Sequence, residues 1–166
     1  IEKARGVLSN AGYGEIKIDG AGEALAESHL ISHEMVSKKT PKALFSKDDV
    51  HIMVCEEDHL RIQAIKAGFE LDGAFKAAAA AEEILDGSLS YAFDEKLGYL
   101  THCPTNLGCA MRASVMMFLP CLTMTKRMKG VENQLAKLGL TVRGCDGEGS
   151  SSRGCLYQIS NAVTMG

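Results

Sequence analysis

At 166 residues, with 46% hydrophobic and 23% charged side chains, the chain fits one soluble globular domain with a workable core. A net charge of −3 lacks the basic excess of a nucleic-acid or membrane-surface binder; no apolar run reaches the ~18 residues of a membrane span, and no signal peptide is visible. The six cysteines (Cys55, Cys103, Cys109, Cys121, Cys145, Cys155) form no C-x-x-C pair, which argues against a zinc site or a disulfide framework and points to reduced thiols in a cytoplasm.

Residues 1–19 are glycine-punctuated and weakly patterned, with a short strand expected at Glu15–Ile18. From Ala21 to about Ser37, Leu25, Leu30, Ile31 and Met35 recur at roughly helical spacing, and the Lys38-Lys39 exit places cations at the C-terminal end. Pro41 breaks that pattern. A strand is predicted over 49–55, where Val50, Ile52 and Val54 alternate with His51, Met53 and Cys55. Ala74 to Leu85 predicts a helix on five consecutive alanines, ended by Asp86-Gly87.

Residues 88–101 read as a loop with short strands around Tyr91-Ala92-Phe93 and Tyr99-Leu100, and Cys103-Pro104-Thr105-Asn106-Leu107-Gly108 carries turn chemistry. A strand is expected at Ala113–Leu119. Pro120 then suits a first helical turn, and a helix follows from Leu122 to Leu138 despite Gly130. Strands at Leu140–Arg143 and Leu156–Ser160 flank a glycine- and serine-rich loop, 144–154. Strands and helices mix without strict βαβ alternation, so the expected fold class is α+β, a largely antiparallel sheet flanked by helices, in a single domain over 1–166. Beginning at Ile1 rather than Met, and stopping directly after a strand-like segment, the chain reads as part of a longer protein.

The chemistry concentrates where the 49–55 strand ends. Glu56, Glu57 and Asp58 are three adjacent carboxylates that repel one another and call for a cation nearby, and Arg61 follows in the same strand-like run. A solvated turn is the plain alternative. Arg61 lies beyond the acid cluster, Arg112 follows a Gly-containing turn and Arg143 precedes Gly144 at a strand end, each where backbone can approach a ligand closely. Converging guanidinium forks would bind a polyphosphate, whereas singly each is an ordinary surface ion-pair residue. Glu148 stands in the 144–154 loop, either closing over a site or simply solvated. No G-x-x-x-x-G-K-[ST] or G-x-G-x-x-G occurs, which excludes those phosphate cradles.

Glu56-Glu57-Asp58-His59-Leu60-Arg61-Ile62, Gly98-Tyr99-Leu100-Thr101 leading to Cys103-Pro104-Thr105-Asn106-Leu107-Gly108, Arg112-Ala113-Ser114-Val115, Arg143-Gly144 with Gly147-Glu148, and Ile159-Ser160-Asn161 stand in the order and spacing of the phosphagen (guanidino) kinase catalytic domain, which the chain resembles over about residues 23–166. Within that family it looks most like the bacterial branch that phosphorylates arginine side chains in proteins, through Tyr91 to Lys96, Met116-Met117, Gly147 to Ser150 and Gln158 to Asn161. Small-guanidine kinases usually carry His at position 116 and Asp at 158.

The resemblance implies a glutamine synthetase/guanidino kinase catalytic-domain-like fold. It makes Glu57 and Glu148 the carboxylates that hold the substrate guanidinium and Cys103 the thiol beside it. Arg61, Arg112 and Arg143 would hold the phosphates of ATP, bridged by Mg²⁺ with no protein metal ligand. Its implied partners are proteins presenting arginine, with an activator protein and a homodimer left open, in a bacterial cytoplasm.

Departures from the family pattern are the missing Ser-Ser-x-Arg-x-Arg opening, Cys55 where Asn is usual, and Gly108-Cys109-Ala110 in place of Gly-Thr-Gly. In the closing loop Arg153 replaces an acidic or apolar residue, and Cys155 a glycine or asparagine. A small-guanidine kinase, or a non-catalytic relic that binds nucleotide or a partner protein, are the competing readings.

Overall fold

Residues 1–37, 39–144 and 154–164 are described by the computed structural model, and they divide into two units, Ile1–Phe93 with Thr101–Cys103, and Asp94–Leu100 with Pro104–Gly166. In chain order the first unit runs α1 (Glu2–Asn10), β1 (Gly14–Ile16), α2 (Gly22–Glu27), α3 (His33–Ser37), β2 (Ala43–Lys47), β3 (Val50–Val54), β4 (Leu60–Ala64) and α4 (Leu71–Asp86). Its four strands form an antiparallel meander in the order β1-β2-β3-β4.

Both sides of that sheet are covered. Ala43, Phe45, Val50, Ile52 and Val54 pack with Leu8 of α1 and with Ala81 and Leu85 of α4. Leu44 and Met53 face the other way, onto Ala26 of α2, Ile31, and Met35 of α3. Successive strand residues point to opposite sides, so a strand buried on both shows an apolar run without alternation. That is why β2, with Ala43, Leu44 and Phe45 all buried, escapes a reading based on period two.

Three further expectations need correcting. The weakly patterned N-terminal segment contains α1, which buries Ala4 and Leu8 and is fastened to β1 by the Arg5 fork, Nε and Nη2 donating to the two Glu15 carboxylate oxygens at 2.8 and 2.9 Å. The helix expected over Ala21 to Ser37 is two short helices, because His29 takes a left-handed backbone (φ 58°) between them. The helix expected over Leu122 to Leu138 is broken in the same way by Lys126 (φ 56°).

A short ribbon, β5 (Phe93–Asp94) and β6 (Gly98–Tyr99), follows α4. The second unit continues through a 3-10 turn at Pro104–Asn106 to β7 (Ser114–Phe118), α5 (Pro120–Met124), α6 (Met128–Lys137), β8 (Leu140–Gly144) and β9 (Leu156–Asn161). Its sheet has the order β7-β9-β8 with both pairings antiparallel. The hydroxyls of Thr123 in α5 and Tyr157 in β9 meet at 2.9 Å. Asn161, at the end of β9, accepts the Ala113 N–H at 2.8 Å and donates to the Met111 carbonyl at 3.1 Å, holding the segment that leads into β7. The α+β class and the antiparallel pairing follow the sequence expectation.

Candidate active site

The hairpin between β3 and β4 turns through residues 55–59. Cys55 enters it with a left-handed backbone (φ 61°), and its N–H donates to the His59 carbonyl at 2.9 Å. The three acids that follow take three different environments. Glu56 is buried, with 4% of its surface exposed. A carboxylate taken out of water needs partners, since an unpaired buried charge costs several kcal/mol. Glu56 has them. Its Oε2 accepts the Glu57 N–H at 2.7 Å, while Oε1 accepts the Ser32 hydroxyl and lies 3.5 Å from Nη1 of Arg61.

Glu57 is exposed, its carboxylate turned to solvent and its backbone fixed by Glu56. Asp58 is half-buried and accepts the His102 N–H at 2.6 Å, so it grips the segment that carries Cys103. Thr101 tightens that segment by donating from Oγ1 to the Cys103 carbonyl at 2.8 Å. The mutual repulsion of three adjacent acids is thereby resolved: one goes inward to a cation and a hydroxyl, one outward to water, and one to a backbone donor. Glu57, Arg61 and Cys103 stand on the same unit, tied through Glu56 and Asp58.

Register explains why Arg61 reaches Glu56. Arg61 lies opposite Met53, and Met53 opposite Leu44, so all three point to the side that carries α2 and α3. Gln63, two residues on, projects to that side as well and donates to the His29 carbonyl at 2.7 Å.

The second unit holds two of the other candidates. Arg143 in β8 lies opposite Gln158 in β9, which lies opposite Met116 in β7, so the three form one row on one face of the sheet. Gln158 donates from Nε2 to the Ser114 hydroxyl at 2.9 Å. Arg112 stands two residues before Ser114, in the lead-in held by Asn161. In the neighbouring row Ser160, only 2% exposed, has no hydrogen-bond partner for its hydroxyl among the described residues. Glu148 and Arg153 lie outside the described residues.

Three positions where the sequence departs from the family pattern share one backbone feature. Cys55, Ala110 and Cys155 have φ of 61°, 51° and 63°, the left-handed region where glycine and asparagine are favoured. Glu56, Asp58 and Ser32 are the residues whose parts were not assigned from sequence. A serine immediately before a helix whose first turn carries Glu34 is an N-cap signal, and Ser32 does accept the Met35 N–H at 3.1 Å. Nothing in the local sequence says that the same hydroxyl also meets Glu56, 24 residues away.

A family model for the ATP:guanido phosphotransferase C-terminal catalytic domain matches residues 18–166. The protein-arginine kinase of Clostridium acetobutylicum is 49% identical over 142 residues, covering 84% of this chain and 42% of that protein. That of Caldanaerobacter subterraneus subsp. tengcongensis is 49% identical over 146 residues, covering 87% and 43%. The chain thus spans less than half the length of these curated relatives. Among solved structures, the duplicated taurocyamine kinase from Schistosoma mansoni with bound transition state analog components matches with a TM-score of 0.80 at 27% identity, over 98% of this chain and 26% of that one. A lombricine kinase matches with a TM-score of 0.75 at 23% identity, over 98% and 52%, and shares the fold.

Proposed function

The chain belongs to the ATP:guanido phosphotransferase catalytic-domain family, and from that premise we propose that it is the catalytic part of an ATP-dependent protein-arginine kinase, both units forming one catalytic domain. What carries the reading is the acid turn, where buried Glu56 holds Arg61 and the Glu57 backbone while the Glu57 carboxylate is left to a ligand. Relatives at 49% identity that are protein-arginine kinases favour an arginine side chain over a free guanidine as acceptor.

A guanidinium, with a pKa above ~12, is a poor nucleophile because it is cationic and its lone pairs are delocalised. Glu57 and Glu148 hold it in line with the γ-phosphoryl group, and one of them accepts the proton released as the N–P bond forms and the P–O bond to ADP breaks. Arg61, Arg112 and Arg143 grip the phosphates and offset the charge on the equatorial oxygens. Cys103 lies beside the guanidinium. Among the described residues no three His, Cys, Asp or Glu side chains gather as a metal cage. Mg²⁺ bound together with ATP would supply further neutralisation of the phosphate charge. The described cysteines are free thiols, and no described helix is long and apolar enough to cross a membrane.

The test is incubation with MgATP and either an unfolded arginine-bearing protein or free arginine. Phosphoarginine in the protein is the expected product. Rapid phosphorylation of free arginine, with the protein untouched, would assign the chain to the small-guanidine kinases instead.

A further inference from the structure

Glu56 fixes the turn, and something must fix Glu56. Its Oε1 receives the hydroxyl of Ser32, which lies on the loop joining α2 to α3 rather than on the sheet. The same hydroxyl accepts the Met35 N–H at 3.1 Å and so caps α3. A hydroxyl donates once and accepts through its lone pairs, so one side chain serves the helix start and the buried acid together. The loop has a second mooring, the Gln63 amide on the His29 carbonyl at 2.7 Å, from the same sheet face as Arg61. At its far end α3 is held too, with Lys42 Nζ donating to the Met35 carbonyl and, at 3.0 Å, to the Val36 carbonyl.

Resting on the phosphotransfer reading above, we propose that Ser32 is a positioning residue of the site: through Glu56 it sets where the Arg61 guanidinium and the Glu57 backbone stand. The α2–α3 loop is then the outer support of the acid turn. With Ser32→Ala, Oε1 of Glu56 loses its hydroxyl donor, while the Arg61 contact at 3.5 Å remains. A carboxylate less firmly held can shift toward the arginine, and the Glu57 N–H to Oε2 bond shifts with it. Ser32→Thr keeps the hydroxyl and with it both bonds.

The experiment compares the wild-type chain with Ser32→Ala and Ser32→Thr, using Ser37→Ala as a control whose hydroxyl donates to the Glu34 carbonyl. Three quantities are read: hydrogen exchange of the Glu57 amide, NMR order of the Arg61 Nε–H, and MgATP affinity. Ser32→Ala is expected to speed Glu57 exchange and weaken MgATP binding by roughly tenfold each, the scale of one hydrogen bond to a charged group, and to mobilise Arg61. Ser32→Thr should restore all three, whereas a defect in folding alone would spread exchange over the whole sheet. Glu57 exchange and Arg61 order unchanged in Ser32→Ala would overturn the inference whatever the nucleotide does. Altered values in a protein that takes up MgATP in no variant, wild type included, would instead overturn the phosphotransfer reading.

Discussion

Replacing Gly98 by alanine adds one methyl group at a position where the backbone leaves it no room. Gly98 has φ +76°, and an added Cβ would stand 2.5 Å from the Gly108 carbonyl oxygen and 2.8 Å from that residue's carbonyl carbon and Cα. All three obstacles are backbone, so relief requires the two segments to separate. That separation breaks the bond from the Tyr99 N–H to the Gly108 carbonyl at 2.8 Å. A left-handed backbone costs an L-residue about 1–2 kcal/mol and a lost hydrogen bond about 1 kcal/mol, for a total of about 2–3 kcal/mol. At about 2–4 °C per kcal/mol for a chain of this size, Gly98→Ala should lower Tm by roughly 4–12 °C in thermal unfolding followed by circular dichroism. Gly130→Ala is the matched control, because Gly130 lies in α6 with nothing within 4 Å of an added Cβ. It should stabilise by about 0.5–1 kcal/mol through helix propensity. A Gly98→Ala protein whose Tm stays within about 2 °C of wild type would refute the steric reasoning.

Ala110 inverts that case, a Cβ at φ 51° on an exposed residue. Ala110→Gly should raise stability by about 0.5–1 kcal/mol in urea unfolding, the left-handed penalty less the extra chain entropy of glycine, and a loss of stability would contradict it. His51 offers a pH test. Burial lowers its pKa below the ordinary value of 6.5, against a smaller opposing pull from Asp49. A lowered histidine pKa favours the folded state while the ring is neutral, so this contribution is present above about 6.5 and is lost as pH falls through the folded value. Stability measured from pH 7 downward should therefore decline more steeply in wild type than in His51→Gln, and parallel curves would exclude the assignment.

What could be read beforehand follows from how local each signal is. The alanine run of α4 and the Val50, Ile52, Val54 alternation of β3 are local, and both elements stand within three residues of their expected bounds. Leu25, Ile31 and Met35 do face one apolar cluster, yet two helices rather than one frame it, because the left-handed turn at His29 has no strong residue signature. In the site, the demand of three adjacent acids for a cation is visible in the sequence and is met by Arg61. The sorting of Glu56 inward and Asp58 onto the His102 amide depends on long-range partners, Ser32 and the 101–103 segment, which no spacing within 56–61 encodes. The left-handed backbone at Cys55, Ala110 and Cys155 falls at positions noted in the sequence only as departures from a family pattern of glycine and asparagine, with no conformation read from them.

The division of labour between Glu56 and Glu57 is tested most directly by ³¹P NMR of phosphoarginine formed from MgATP and an unfolded arginine-bearing protein, comparing wild type with Glu57→Gln. The expected result is product with wild type and at least a ~100-fold slower rate with Glu57→Gln, the low end of what a positioned proton acceptor contributes. MgATP affinity should stay within about threefold, because Arg61 keeps its anchor on Glu56. Transfer by Glu57→Gln at the wild-type rate would contradict the assignment.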